Sequence, residues 1–176
     1  MVVKRTKKTV KKKTAAPLAA PAKKRVKKVI GWREWVWLPD LDVGRIKAKI
    51  DTGARTSVLH ADRITPFTKD GVAHVRFFVH PLQRLKKVEH TCVAAVVDHR
   101  TVTDSGGKVE LRYVIRTSVK LGARRWPIEL TLTNRDQMGF RILIGREALR
   151  RRYLVDTCRS FIARRKKKAA VVAVQE

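Results

Sequence analysis

The sequence predicts a mainly β domain with one short C-terminal helix, flanked by disordered basic tails. Three observations lead there. Between Val29 and Phe161 the apolar residues come in short β-branched or aromatic runs broken by turn residues. Helical spacing of apolar residues is scarce before Gly145. The two ends are rich in Lys and Arg and nearly devoid of acid, a composition that repels itself too strongly to build a core.

The elements follow in order. Glu34 to Leu38 (EWVWL) reads as a strand, Pro39 to Gly44 as a turn, and Arg45 to Ile50 alternates basic with apolar residues as a half-exposed strand does. That strand runs directly into Asp51-Thr52-Gly53. Asp70-Gly71 marks a tight turn before the strand Val72 to Val79. Val88 to Val97 is rich in β-branched residues, Val109 to Leu121 is a long strand ending before Gly122, and Trp126 to Thr133 is another. After the polar loop Asn134 to Gly139 come the strand Phe140 to Ile144 and the short helix Gly145 to Arg150.

Charge sets the broad class. The chain has 176 residues, with 42 Lys and Arg against 15 Asp and Glu, a formal charge of +27. Residues 1–28 hold 12 basic residues and no acid, and residues 162–176 hold five basic residues and Glu176, which leaves 25 basic and 14 acidic residues in the 133 between. A segment of that size suits one core that buries about two-thirds of its unfolded surface. The expected division is therefore a disordered basic arm over 1–28, one domain over 29–161, and a basic tail over 162–176. The arm, and the run Arg164 to Lys168, suit contact with polyanions such as RNA, the ribosome or an acidic protein, the alternative being a solubilising tail. No apolar run approaches the roughly 20 residues that cross a bilayer, so no membrane association is expected. The N-terminus lacks the apolar core of a secretion signal, and Cys92 and Cys158 are too few for a disulfide framework, so a cytoplasmic location is expected.

Asp51-Thr52-Gly53-Ala54 stands where an apolar strand breaks into a turn, a placement that suits a catalytic carboxylate. Asp51 projects from the end of a rigid strand, Thr52 offers a hydroxyl for bracing, and Gly53 lets the backbone fold back so that amides approach the carboxylate. Alone, these residues are equally common in ordinary strand-ending turns. The second element is far downstream: Phe140 to Leu149 (FRILIGREAL) is an apolar strand ending in Gly and followed by a helix.

The pair DTGARTSVL and ILIGREAL resembles a retropepsin, in which an Asp-Thr-Gly-Ala turn and a later apolar strand ending in Gly-Arg cross beneath the catalytic Asp. The likeness covers roughly residues 30 to 161, with 64 to 97 as an insertion relative to the viral enzymes. It implies a closed β-barrel of the acid-protease lobe type and a peptidase in which Asp51, Thr52 and Gly53 form the catalytic turn. Ala54, Arg55 and Arg146 would contact substrate, together with Gly106 and Gly107 in a mobile flap. One chain supplies one such Asp, so the resemblance implies a homodimer with Asp51 of each copy meeting at a two-fold axis. Two adjacent carboxylates titrate as a unit, one staying protonated while the other activates water.

The wording HPLQ at 80–83, DSGG at 104–107 and TLTNRDQMGFRILIGREAL at 131–149 resembles a narrower group, labelled ATP-dependent zinc proteases and now regarded as retropepsin-like. Some of its members are linked with the ligase that adds glutamates to a ribosomal protein, which implies an acidic or glutamate-rich peptide as substrate. The label's cofactors are not expected: the chain has neither a phosphate-binding Gly-rich loop with its Lys nor a His-Glu-x-x-His helix. A zinc site drawn from His80, His90, Cys92 and His99 is the lesser alternative, since their spacing matches no zinc module. Asp104-Ser105-Gly106 is read as a hairpin tip rather than a second catalytic turn, because a second lobe would need strands the chain lacks. The competing function is a non-catalytic basic module that binds ribosomal RNA or an acidic protein on the same scaffold.

Viral retropepsins usually place Asp after Asp-Thr-Gly-Ala and pair it with the Arg after the later Gly. Here that position is Arg55 and the Arg is Arg146, so two guanidiniums should lie close together. Either Asp156, Asp136 or Glu147 neutralises them, or one stays unpaired to select acidic peptides; the second is the expectation.

Overall fold

The computed structural model describes residues 27–82, 88–103, 106–107, 109–134 and 139–163. The strands are β1 (Lys28–Leu38), β2 (Val43–Asp51), β3 (Ser57–His60), β4 (Asp62–Lys69), β5 (Val72–Val79), β6 (His90–Thr103), β7 (Val109–Leu121), β8 (Arg124–Thr133), β9 (Ile142–Gly145) and β10 (Tyr153–Ser160). A 3-10 turn, Pro39–Leu41, joins β1 to β2, and the helix α1 is the single turn Arg146–Leu149. The arm expected over 1–28 and the tail expected over 162–176 fall almost wholly outside the described residues, although β1 already begins at Lys28 and residues 162–163 are described.

All ten strands form one sheet in the order β10-β1-β2-β9-β3-β8-β7-β6-β5-β4. A further pairing of β1 with β7, Val36 opposite Leu121 and Trp37 opposite Lys120, closes six of them into a ring. Inside it, alternate residues of each strand turn inward: Val36, Leu38, Ile46, Ala48, Ile115, Leu130 and Ile142 are fully buried. β10 lies parallel to β1 on one flank, and β6, β5 and β4 extend the sheet on the other.

Two buried polar side chains tie elements of the ring together. Glu34 is buried on β1, and its Oε1 accepts from the backbone N–H groups of Gly31 (2.8 Å), Ile162 (2.9 Å) and Ala163 (3.1 Å), which fastens the end of the domain to its first strand. Trp126 Nε1 donates to Ala148 O at 3.0 Å and seats α1 on β8. The Asp70-Gly71 turn forms as expected: φ is positive at both residues (51° and 74°), and Lys69 faces Val72 across it.

Three strands were not foreseen. β3 is buried at all four positions, so it shows no alternation. β4 is an edge strand that carries Pro66 and a positive φ at Arg63, both of which weaken a strand signal. β10 is the other edge, and its polar half, Asp156 to Ser160, pairs with β1 through a register shift.

Candidate active site

β2 delivers Asp51 to the end of the ring, where it is the register partner of Gly145 in the parallel β2–β9 pair. The chain then turns back, so that Asp51 Oδ1 accepts from Gly53 N (3.2 Å) and Ala54 N (3.1 Å). Those bonds fix the plane of the carboxylate, while Oδ2 lies 3.5 Å from Lys49 Nζ. The Asp51 side chain is 24% exposed, open enough to meet a ligand. Lys49 was not foreseen; the signal is its place two residues before Asp51, on the same face of the strand.

The downstream strand holds this turn in place. Arg146 N donates to Ala54 O (2.9 Å), Glu147 N to Arg55 O (3.3 Å), and Arg146 Nη1 to Gly53 O (2.9 Å). Gly145 N donates to Ser57 Oγ (3.1 Å), and Thr131 Oγ1 donates to Ser57 O (3.2 Å). The loop therefore rests on β9 and α1, and the two segments DTGARTSVL and ILIGREAL meet in space.

Arg55 and Arg146 do not stand as an unpaired couple. Arg55 Nε donates to Glu147 Oε1 at 2.7 Å, while Arg146 is spent on Gly53 O. Glu147, one of the three carboxylates considered, sits one residue beyond Arg146 on the first turn of α1 and reaches back to Arg55, whose side chain stays 74% exposed, while the contact of Arg146 is to a backbone carbonyl. The Arg55 contact holds the Glu147 carboxyl below its ordinary range, with smaller help from the nearby charges of Arg100 and Arg146. Asp156 instead takes Arg159 (2.6 Å) and Cys158 N (2.9 Å), and Asp136 lies outside the described residues.

β6 and β7 form a long hairpin closed by the pair Thr103 and Val109. Gly106 and Gly107 are exposed at its tip, Gly107 with φ of 82°, while Asp104 and Ser105 lie outside the described residues. The hairpin face carrying Asp98, Arg100, Glu110 and Arg112 turns toward the wall beside the Asp51 loop, because Arg100 reaches Glu129 on β8 at 2.7 Å.

The His and Cys residues considered for zinc are engaged with other neighbours or lie far apart. Cys92 faces the core, its Sγ 3.6 Å from Leu41 O, and burial with the nearby Asp42 charge pushes its thiol up to about 11. His99 packs edge-on against Tyr113, and it is nine residues from His90 along β6, about 30 Å at strand rise. His80 is drawn to Asp62, its Nε2 3.2 Å from Oδ2. Among the described residues no three His, Cys, Asp or Glu side chains are grouped so as to hold a metal ion.

Residues 29–166 match the model of the RimB-like family, described as retropepsin-like aspartic endopeptidase RimB. A protein named "Probable alpha-L-glutamate ligase" from Shewanella halifaxensis is 47% identical over 133 residues, 76% of this chain and 29% of that protein. One of the same name from Parasynechococcus marenigrum is 49% identical over 128 residues, 73% of this chain and 28% of the other. The chain thus spans less than a third of the length of these relatives. A crystal structure of a Legionella pneumophila protein of unknown function superposes with a TM-score of 0.67 at 28% identity, covering 79% of this chain and all of that one. With the Asp51 turn resting on the Gly145 strand and the family model spanning the whole ring, the chain belongs to the RimB-like family of retropepsin-like aspartic endopeptidases.

Proposed function

We propose that this protein hydrolyses peptide bonds by aspartic catalysis, with Asp51 from each of two copies as the paired carboxylates. The observation that carries the reading is the Asp51 carboxylate held by Gly53 N and Ala54 N and left open to solvent at the end of β2. In the proposed reaction one carboxyl is protonated and donates to the scissile carbonyl oxygen. The other takes a proton from water as the water oxygen attacks the carbon, and the tetrahedral intermediate collapses when the leaving amine is protonated.

The second copy fits the exposed side of the Asp51 loop. A groove of about 790 Å³ there is lined by Thr52, Arg55, Arg146, Arg150, Arg151 and Leu154. Leu154 is 53% exposed on β10, an edge strand of the sheet. An acidic or glutamate-rich substrate is supported by the formal charge of +27 and by the glutamate-ligase name of the relatives, in which the matching domain shares a chain with other sequence.

Hydrolysis of a glutamate-rich peptide by the purified full chain, with Asp51→Asn beside it, tests the reading. Asp51→Asn should keep the fold and lower turnover by about 10²–10⁴-fold, the usual weight of a general base. Undiminished hydrolysis by that variant, or none by the wild-type protein, would leave the competing reading of a basic binding module.

A further inference from the structure

The underside of the β6–β7 hairpin holds two guanidiniums opposite one another. Arg100 and Arg112 are cross-strand partners, and like charges placed so oppose each other unless acceptors intervene. Arg100 Nε donates to Asp98 Oδ2 (2.8 Å) and its Nη2 to Glu129 Oε2 (2.7 Å). Asp98 and Val114 are also partners, so the Arg100–Glu129 bridge crosses from β6 to β8 above Val114 on β7. Arg112 is 4% exposed and donates through Nε to Glu110 Oε2 (2.8 Å), an oxygen that Thr133 Oγ1 also uses (3.0 Å). Its Nη2 is buried and has no acceptor. A buried guanidinium N–H without an acceptor is costly, so Arg112 is held there by its Glu110 contact and serves as part of the wall.

The same face adjoins the Asp51 loop. Glu129, Glu147 and Thr56 line one hollow, and Glu147 is the carboxylate bound by Arg55. Arg100 reaches this hollow through Glu129, which lines it. We propose that Arg100 is the residue that binds an acidic side chain of the substrate, and that Glu129 is the internal carboxylate this side chain displaces. The inference rests on the peptidase reading above and names a residue that gives it acidic selectivity. Exchange is favourable because the Arg100 and Glu129 side chains are 33% and 43% exposed, and a half-solvated ion pair has little net worth to lose.

Calorimetric binding of a blocked hexaglutamate peptide to the full chain at 0.15 M salt tests this, with the hydrolysis of that peptide measured separately. Arg100→Gln should weaken binding by about tenfold, the loss of one charge-assisted contact, and Glu129→Gln should tighten it severalfold by freeing Arg100. Arg45→Gln, which removes the same charge from a guanidinium stacked on Trp35, controls for attraction to a basic protein at large and should stay within about twofold. An Arg100→Gln effect no larger than that of Arg45→Gln, or a Glu129→Gln variant that binds no more tightly than wild type, would overturn the proposal. Arg100-dependent binding without hydrolysis would refute the peptidase reading and leave the subsite standing; hydrolysis indifferent to Arg100 would do the reverse.

Discussion

Asp51 and Gly145 lie side by side as partners of the β2–β9 pair, and the glycine is what allows the loop after Asp51 to pass over the second strand. A Cβ built on Gly145 would stand 2.3 Å from Thr56 O and 2.8 Å from Arg55 O, both backbone atoms with no free space to yield. The Asp51 turn and the strand below it are thus held at a spacing that only glycine permits.

Gly145→Ala should therefore destabilise the domain by roughly 2–3 kcal/mol or more, the cost of overpacking against fixed backbone. Gly44, where an added Cβ meets nothing within 4 Å, is the matched control, and its replacement by Ala should stay within about 0.5 kcal/mol. Denaturant unfolding of both variants checks this; equal effects would show that the loop does not rest on β9.

Ser57→Ala removes the acceptor of the buried Gly145 N–H. An unsatisfied buried donor costs about 1–3 kcal/mol, so the variant should unfold at lower denaturant with an unchanged slope. A Ser57→Ala protein as stable as wild type would mean that the N–H finds another acceptor.

The Arg55–Glu147 contact has a pH signature. Hydrogen bonding by Arg55, ahead of the charge effects, lowers the Glu147 carboxyl from its ordinary value of 4.5. A folded-state value below the unfolded one gives stability that is present above the unfolded value and lost as pH falls through the folded one. Because the side chains are 74% and 49% exposed, the contribution stays below about 1 kcal/mol. Titration of Glu147 by NMR should give a midpoint below 4.5 that rises in Arg55→Ala. A midpoint indifferent to Arg55 would dissolve the pairing.

Cys92 and Cys158 should differ in reactivity. With its thiol pushed up to about 11 by burial, Cys92 stays protonated at pH 8, whereas Cys158 is exposed. Alkylation of the native protein at that pH should label Cys158 and spare Cys92, and unfolding should release the second thiol. Rapid labelling of Cys92 in the native state would contradict its placement in the core.

The β class is legible along the chain, because β2, β5, β7 and β8 alternate or carry β-branched runs between turns such as Asp70-Gly71. Also legible are the strand ending at Asp51 and the helix just after Gly145, since strand, Gly turn and helix start are local events, although Gly145 itself closes β9 and the helix starts at Arg146. Tertiary structure alone decided three other matters. β3 and the edge strands β4 and β10 depend on neighbours for their pairing, so burial on both faces, Pro66 and a polar half conceal them. The partner of Arg55 was undecidable along the chain, because Asp156 and Glu147 are equally remote in sequence terms and only the seating of α1 brings Glu147 to 2.7 Å. The Arg100–Glu129 bridge joins residues 29 apart on two strands that are not neighbours, across a third, and no periodicity records which side chains meet over a strand. Local backbone preference is written residue by residue, whereas a contact between distant strands is set by sheet order and register, which the whole chain fixes at once.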